Sequence, residues 1–449
     1  MTQPSETQTK TLFTSRMATT LIIATMVGVG VFTTLGKQLA ETDSIPIIMG
    51  LWVIGGIAAL CGALSYAELG ASLPRSGGEY TFLGRAYHPA AGFISGWLSA
   101  TIGYAAPSAA IALAFARYSN ASLPFEISAT YQKLLACVLI LSLATIHALS
   151  RKASGATQTG STIIKIVLVI AFIAAAFFLT ASPQSLNLIP TSKDVEIMTS
   201  ASLGVALIYV YFAFTGWNAA TYISGEMETP QLSLPRVLFT GTAFVTVLFV
   251  LLNLAFLYAA PVDALRGEIQ IGTIAAEYIF GETGGRLVGA MLALLLISSV
   301  SALTLAGPRA LQAIGEDYRA MSWLGRSTAE GVPWVAILLQ ACIAIFFILT
   351  QTFGAILVFA GAMVAFNSLL AVIGVFILRW REPKLPRPYR TWGYPIVPLI
   401  YILITTTALV SVVKARPLTA YSILGLIALG FILWLLSEGL NDRRLPRND

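Results

Sequence analysis

Apolar residues along this chain come in runs of about 20, the length a helix needs to cross a ~30 Å hydrocarbon core. Twelve such segments are predicted, over 17–35, 46–70, 86–116, 129–149, 160–181, 200–223, 237–260, 286–311, 333–350, 354–378, 394–413 and 419–437. The runs do not alternate: LLACVLILSLATIHAL is apolar on every face, whereas membrane β-strands are ~10-residue segments of alternating polarity. The expected fold class is an all-α membrane protein with twelve transmembrane helices. The third segment is long enough to require strong tilt, and the ninth and tenth are joined by little more than Gln351. Between the seventh and eighth, VDALRGEIQIGTIAAEYIFGETGG predicts a short surface helix over 274–280. Prolines in LRWREPKLPRPYRTWGYP forbid a continuous helix there.

Composition agrees with the pattern. The chain is 57% hydrophobic and 11% charged, with a mean hydropathy of +0.80. Soluble domains carry roughly 25% charged residues. The net charge of +6 does not point to nucleic acid, because the basic residues sit between apolar runs, as topology determinants do. Most of the 27 lysines and arginines fall on the side that an even helix count assigns to both termini. That side is expected to be the cytoplasm. The loop SGEMETPQLSLPR, more acidic than basic, is the exception. The polar start has no cleavable leader pattern, so 1–16 and 438–449 are expected to be cytoplasmic tails. Cys61, Cys137 and Cys342 lie in apolar runs and are expected to be small buried side chains.

Chemistry-bearing motifs are few. The two histidines, His88 and His147, form no metal motif, HExxH is missing, and so is a GxxxxGK[ST] loop. An enzyme or an ATP-driven pump is therefore unsupported, and no metal or cofactor is expected. Two segments instead carry glycine where a spanning helix should be regular. Met26-Val27-Gly28-Val29-Gly30 lies roughly 17 Å beyond Met17 at 1.5 Å per residue. Phe212-Ala213-Phe214-Thr215-Gly216-Trp217-Asn218 lies at a similar depth in the sixth segment. Unwinding a helix in lipid frees backbone groups at several kcal/mol each, which is tolerated only where they line a cavity or bind something. A half-helix N-terminus then suits an anion and the C-terminus of its partner a cation. Gly-x-Gly also serves close helix packing, but two interruptions five helices apart favour a transport site. Lys165 is the only basic residue well inside an apolar run. It is either a functional intramembrane charge or a snorkelling one. Glu68, at the end of the second segment, reads as an interfacial partner of Arg75.

At these residues the chain resembles the amino acid–polyamine–organocation superfamily of transporters, and within it the L-type amino acid transporter branch and its bacterial relatives. The match rests on GVGVF, YAELGASLPRSGGEY, FAFTGWNAATYISGEMETPQLSLPR, LAGPRALQAIGED and RPYRTWGYPIVPLIYI, in order from the first segment into the eleventh. The resemblance implies a five-plus-five inverted repeat of the leucine-transporter type, with repeats over 17–181 and 200–378 and two further helices over 394–437. It implies that the Val29 and Gly30 amides, beside Gly28, hold a substrate carboxylate. The Met26, Phe212 and Thr215 carbonyls would hold its ammonium, next to Gly216. Trp217 and Asn218 would lie near the substrate side chain. Phe212 or Phe214 is either an aromatic gate or an ordinary packing ring. Lys165 would stand in for a bound sodium ion, tying the fifth helix to the first and eighth with help from Ser298, Ser299 or Ser301. Val29 departs from the Ser or Ala usual between the glycines, so only its amide is available. The loop 118–130 has no cysteine, so no disulfide-linked partner subunit is expected.

The expected function is a secondary transporter (permease) for amino acids, by sodium-independent exchange or proton-coupled uptake. A transporter-like sensor, or a carrier of another small amine, is the alternative. No acidic or basic residue neighbours Trp217 and Asn218 in sequence, which points to a neutral L-amino acid. Trp97 and Tyr104 of the third segment are expected to narrow the pocket.

Overall fold

The computed structural model describes residues 14–75, 77–149, 156–328 and 331–440. Of the two expected tails, only 14–16 and 438–440 fall within it. The described residues form seventeen α-helices and no β-strand. They are α1 Ser15–Met26, α2 Val29–Glu41, α3 Ile45–Ser72, α4 Glu79–Ala86, α5 Pro89–Leu98, α6 Tyr104–Ala121, α7 Ala129–Leu149, α8 Ala156–Leu179, α9 Ser192–Met198 and α10 Ala201–Ala213. There follow α11 Pro230–Ala259, α12 Val262–Leu265, α13 Ile271–Asp317, α14 Trp334–Thr350, α15 Phe353–Arg381, α16 Ile396–Ala415 and α17 Pro417–Leu440. Among the described residues ten spans are long and apolar enough to cross a membrane, with α1 and α2 together forming the first. Two further apolar helices, α10 and α14, are shorter, at 13 and 17 residues.

The third segment is not one regular helix. A π-helical turn, Ser99–Gly103, separates α5 from α6. Its cause is Pro107, which has no N–H and would crowd the carbonyl of Gly103 in an ordinary α-helix. Beyond that turn α6 is rich in alanine, and Ala105, Ala106, Ala109, Ala110, Ala112, Ala114 and Ala116 are fully buried. Small side chains let helices approach closely where lipid supplies no hydrophobic drive between them, and α6 packs along α13. The surface helix expected over 274–280 begins earlier, at Ile271, and breaks at Gly281, where φ is 76°.

The paired halves of the first and sixth segments lie at the centre. α10 packs against α2, α3, α15 and α16, and α11 runs along α1 and α3. α17 is peripheral, with most of its side chains turned away from the bundle. Cys61 and Cys137 are buried, but Cys342 on α14 is exposed, contrary to expectation. Apolar sequence does not distinguish a face turned to the bundle from one turned to lipid.

Glu68 also differs from its expected role. Its carboxylate accepts from Arg379 Nε (2.8 Å) and Nη2 (2.6 Å), and from Thr391 N and Oγ1 (both 2.7 Å). Arg387 Nε is 3.5 Å away, and the Arg379 guanidinium stacks 3.6 Å from the centre of the Tyr394 ring. Arg75 instead faces Asp317 at 3.5 Å, largely in the open. A buried acid thus pins the proline-rich 382–395 stretch to the ends of α3 and α15. Glu68→Gln leaves two arginines without their counter-charge, and breaking such a pair costs about 3 kcal/mol. A clear fall in the unfolding temperature of the detergent-purified protein is expected. An unchanged midpoint would show that the loop is held by other contacts.

Candidate functional site

α1 ends at Met26 because the next two residues leave helical backbone: Val27 has φ −75° and ψ 74°, and Gly28 has φ −120° and ψ −153°. α2 restarts at Val29 with no side-chain cap. The amides of Val29, Gly30 and Val31 meet no acceptor among the described residues. They form the positive end of a helix, the usual place for an anion. The second break follows Ala213. Gly216 takes φ +101°, which glycine adopts without the Cβ clash other residues suffer, and the chain resumes as a 3-10 helix over Ala219–Glu226. The amides of Gly216, Trp217 and Asn218 likewise meet no acceptor among the described residues.

The two breaks touch. Thr25 Oγ1, whose single proton is shared with Leu21 O (2.8 Å) and Ile22 O (2.9 Å), lies 3.1 Å from Gly216 O, and a Cβ on Gly216 would lie 2.8 Å from Thr25 Cβ. A Cβ on Gly30 would lie 2.4 Å from Ala213 Cα, so Gly30 is closed in by the α10 backbone. A Cβ on Gly28 would meet nothing nearer than its own chain, Thr25 O at 3.8 Å and Met26 O at 3.9 Å. Gly30 and Gly216 therefore bring the half-helices together, and Gly28 is the glycine with free space before it. Of the three carbonyls named from sequence, Met26 O accepts from Gly28 N (2.7 Å). Phe212 O accepts from Thr215 N (3.1 Å) and Thr215 Oγ1 (2.7 Å). Thr215 O receives no donor among the described residues.

The aromatic residues divide. Phe214 is packed between Trp52 and Phe249, with ring centres 6.0 and 5.2 Å away. Phe212 is buried beside Gly361 of α15. Trp217 packs edge-on to Tyr66 at 4.7 Å, above Gly62 of α3. Tyr104 faces Tyr222 at 6.5 Å, whereas Trp97 lies against Gly430 of α17.

Lys165 is 3% exposed and donates to Ser299 Oγ of α13 at 2.8 Å. That joins the fifth segment to the eighth. The implied tie to the first helix is not made by a hydrogen bond among the described residues, although α8 packs against α1. Ser298 donates instead to Leu295 O, and Ser301 pairs with His147.

Sequence reasoning missed Glu79 and Tyr222. Glu79 is 3% exposed, and its Oε1 lies 2.6 Å from Asn218 Nδ2, which corrects the expectation of no acid near Asn218. The two are 139 residues apart in sequence, so proximity along the chain carried no signal. The only hint was the acid inside SGGEY, just after an apolar run.

Comparison with known proteins places the chain as a whole. A family model described as amino acid permease matches residues 13–434. The chain is 29% identical to the serine/threonine exchanger SteT of Bacillus subtilis (strain 168), over 86% of its own length and 87% of the relative's. It is 26% identical to the b(0,+)-type amino acid transporter 1 of Mus musculus, over 89% of this chain and 82% of that one. It is 25% identical to the large neutral amino acids transporter small subunit 2 of Mus musculus, over 88% and 75% respectively.

Proposed function

Since this chain belongs to the amino acid permease family and moves amino acids across a membrane, we propose that it is a sodium-independent exchanger of neutral L-amino acids. The substrate sits at the junction of the two helix breaks. The observation that carries this reading is the junction itself. Two unwound segments joined through Thr25 and Gly216 leave amides without acceptors beside Gly28 and Asn218, in the middle of an apolar bundle. A zwitterion suits such a place, with its carboxylate on the amides of Val29 and Gly30 and its ammonium toward the carbonyls of Met26, Phe212 and Thr215. Neutral side chains are favoured because the nearby carboxylate of Glu79 is already taken by Tyr66, Asn218 and Tyr222. Exchange accords with the relative named for serine/threonine exchange.

The same reading assigns twelve spans, an inverted repeat over 17–181 and 200–378, both termini in the cytoplasm of a bacterium, and action without a disulfide-linked subunit. Phe214, held between two rings, is read as packing more than as a gate. The test is counterflow in proteoliposomes, with labelled substrate outside and a panel of unlabelled amino acids inside. Neutral amino acids are expected to drive uptake, and preference for arginine or glutamate would reject the neutral assignment. For topology, single cysteines introduced at positions 5 and 443 should resist an impermeant thiol reagent in intact cells. Ready labelling there reverses the orientation.

A further inference from the structure

Glu79 is the first residue of α4, following Gly77 and Gly78, whose φ values are +132° and +54°. That turn drives an acidic side chain back into the bundle. Three donors from two other elements meet it: Tyr66 OH of α3 at 2.9 Å from Oε1, Asn218 Nδ2 at 2.6 Å from Oε1, and Tyr222 OH on Oε2. No lysine or arginine among the described residues pairs with it within 4 Å. A carboxylate only accepts, so it fixes which way the Asn218 amide faces. The NH2 must turn to Glu79, and the carbonyl oxygen Oδ1 is left on the other side. Asn218 Oδ1 accepts no hydrogen bond from any described residue, and Asn218 keeps 9% of its surface accessible, two residues beyond Gly216 in the break.

We propose that Glu79 is a positioning residue that holds the Asn218 amide with its oxygen toward the substrate side chain, so that the carrier favours neutral amino acids whose side chains donate a hydrogen bond. This rests on the reading of the helix breaks as the substrate site. Without Glu79 the amide is free to turn over, and its NH2 no longer rewards a donor. A site built around one acceptor separates serine from alanine, and threonine from valine, because each pair differs chiefly in a hydroxyl.

The test compares serine with alanine and threonine with valine as counterflow substrates. It uses proteoliposomes of the parent, Glu79→Met, Asn218→Ala, the double variant and Glu79→Gln, each checked for a single symmetric peak in detergent. The parent is expected to prefer the hydroxyl member in kcat/KM by roughly five- to ten-fold, the worth of one hydrogen bond. Glu79→Met and Asn218→Ala should each erase that preference, and the double variant should lose nothing more, since both act through one amide. Glu79→Gln keeps an acceptor oxygen for Asn218 and should restore the preference. Equal losses for both members of a pair, or effects that multiply in the double variant, overturn the proposal. If Glu79→Met does not insert, Asn218→Ala decides alone, and an unchanged preference overturns it. A parent preference for arginine that disappears in Glu79→Gln also overturns it, because Glu79 would then touch the substrate. Should the parent exchange no amino acid at all, the underlying site reading fails instead.

Discussion

Gly30→Leu is expected to leave no measurable amino acid exchange, and Gly28→Ala is expected to separate the two reasons why. At Gly30 an added Cβ would sit 2.4 Å from Ala213 Cα and 3.0 Å from Ala213 Cβ. Backbone cannot rotate aside as a side chain can, so α2 and α10 must part. Overpacking of a tight interior typically costs 1–3 kcal/mol, and a clash with main chain belongs at or above about 3 kcal/mol. The variant should therefore show a lowered unfolding temperature as well as lost exchange. At Gly28 an alanine Cβ meets only ordinary contacts at 3.8 and 3.9 Å, and the φ of −120° is open to any residue. Gly28→Ala should fold with the parent's stability and still lose substrate affinity, because its methyl occupies the space before the free amides. Both measurements are direct: thermal unfolding in detergent, and counterflow in liposomes. Parental affinity in Gly28→Ala would make the whole glycine motif a packing device.

Lys165→Ala is expected to insert normally and to slow exchange by roughly 10- to 100-fold. The ammonium is buried and donates to Ser299 Oγ at 2.8 Å. A hydrogen bond to a charged group is worth about 1.5–3 kcal/mol, and each 1.36 kcal/mol is a factor of ten in rate. The bond ties α8 to α13, while α8 also lies against α1, the half-helix before the first break. On the sodium-independent reading proposed above, a fixed positive charge there stands in for a bound sodium ion. Replacing sodium by choline should accordingly leave the parent's rate unchanged. Strict sodium dependence of the parent removes the ion-substitute role, and a fully active alanine variant returns Lys165 to a snorkelling charge.

The helical class was legible from sequence because it depends on a local quantity. Each apolar run must satisfy its own backbone hydrogen bonds in lipid, so its length and lack of alternation are enough to assign it. The two breaks were legible for the same reason: glycine next to β-branched or aromatic residues marks them without any knowledge of neighbours. Pro107 could have revealed the π turn in the third segment, but a proline in a membrane helix has several outcomes, and packing chooses among them. Partners were not legible. Glu68 found Arg379 and Thr391, some 300 residues away, in place of the nearby Arg75. Lys165 found Ser299 but not the first break. Glu79 reached Asn218 only because glycine residues at positive φ turn α4 back into the bundle. In each case a buried charge must be met by whichever donors or acceptors lie within about 3 Å. Which ones those are is decided by how the helices cross, and the crossing is a property of the whole bundle. The sequence by itself settled that the chain is helical and that its first and sixth segments break at glycine; only the tertiary structure decided that those breaks touch each other, and which buried charge attends them.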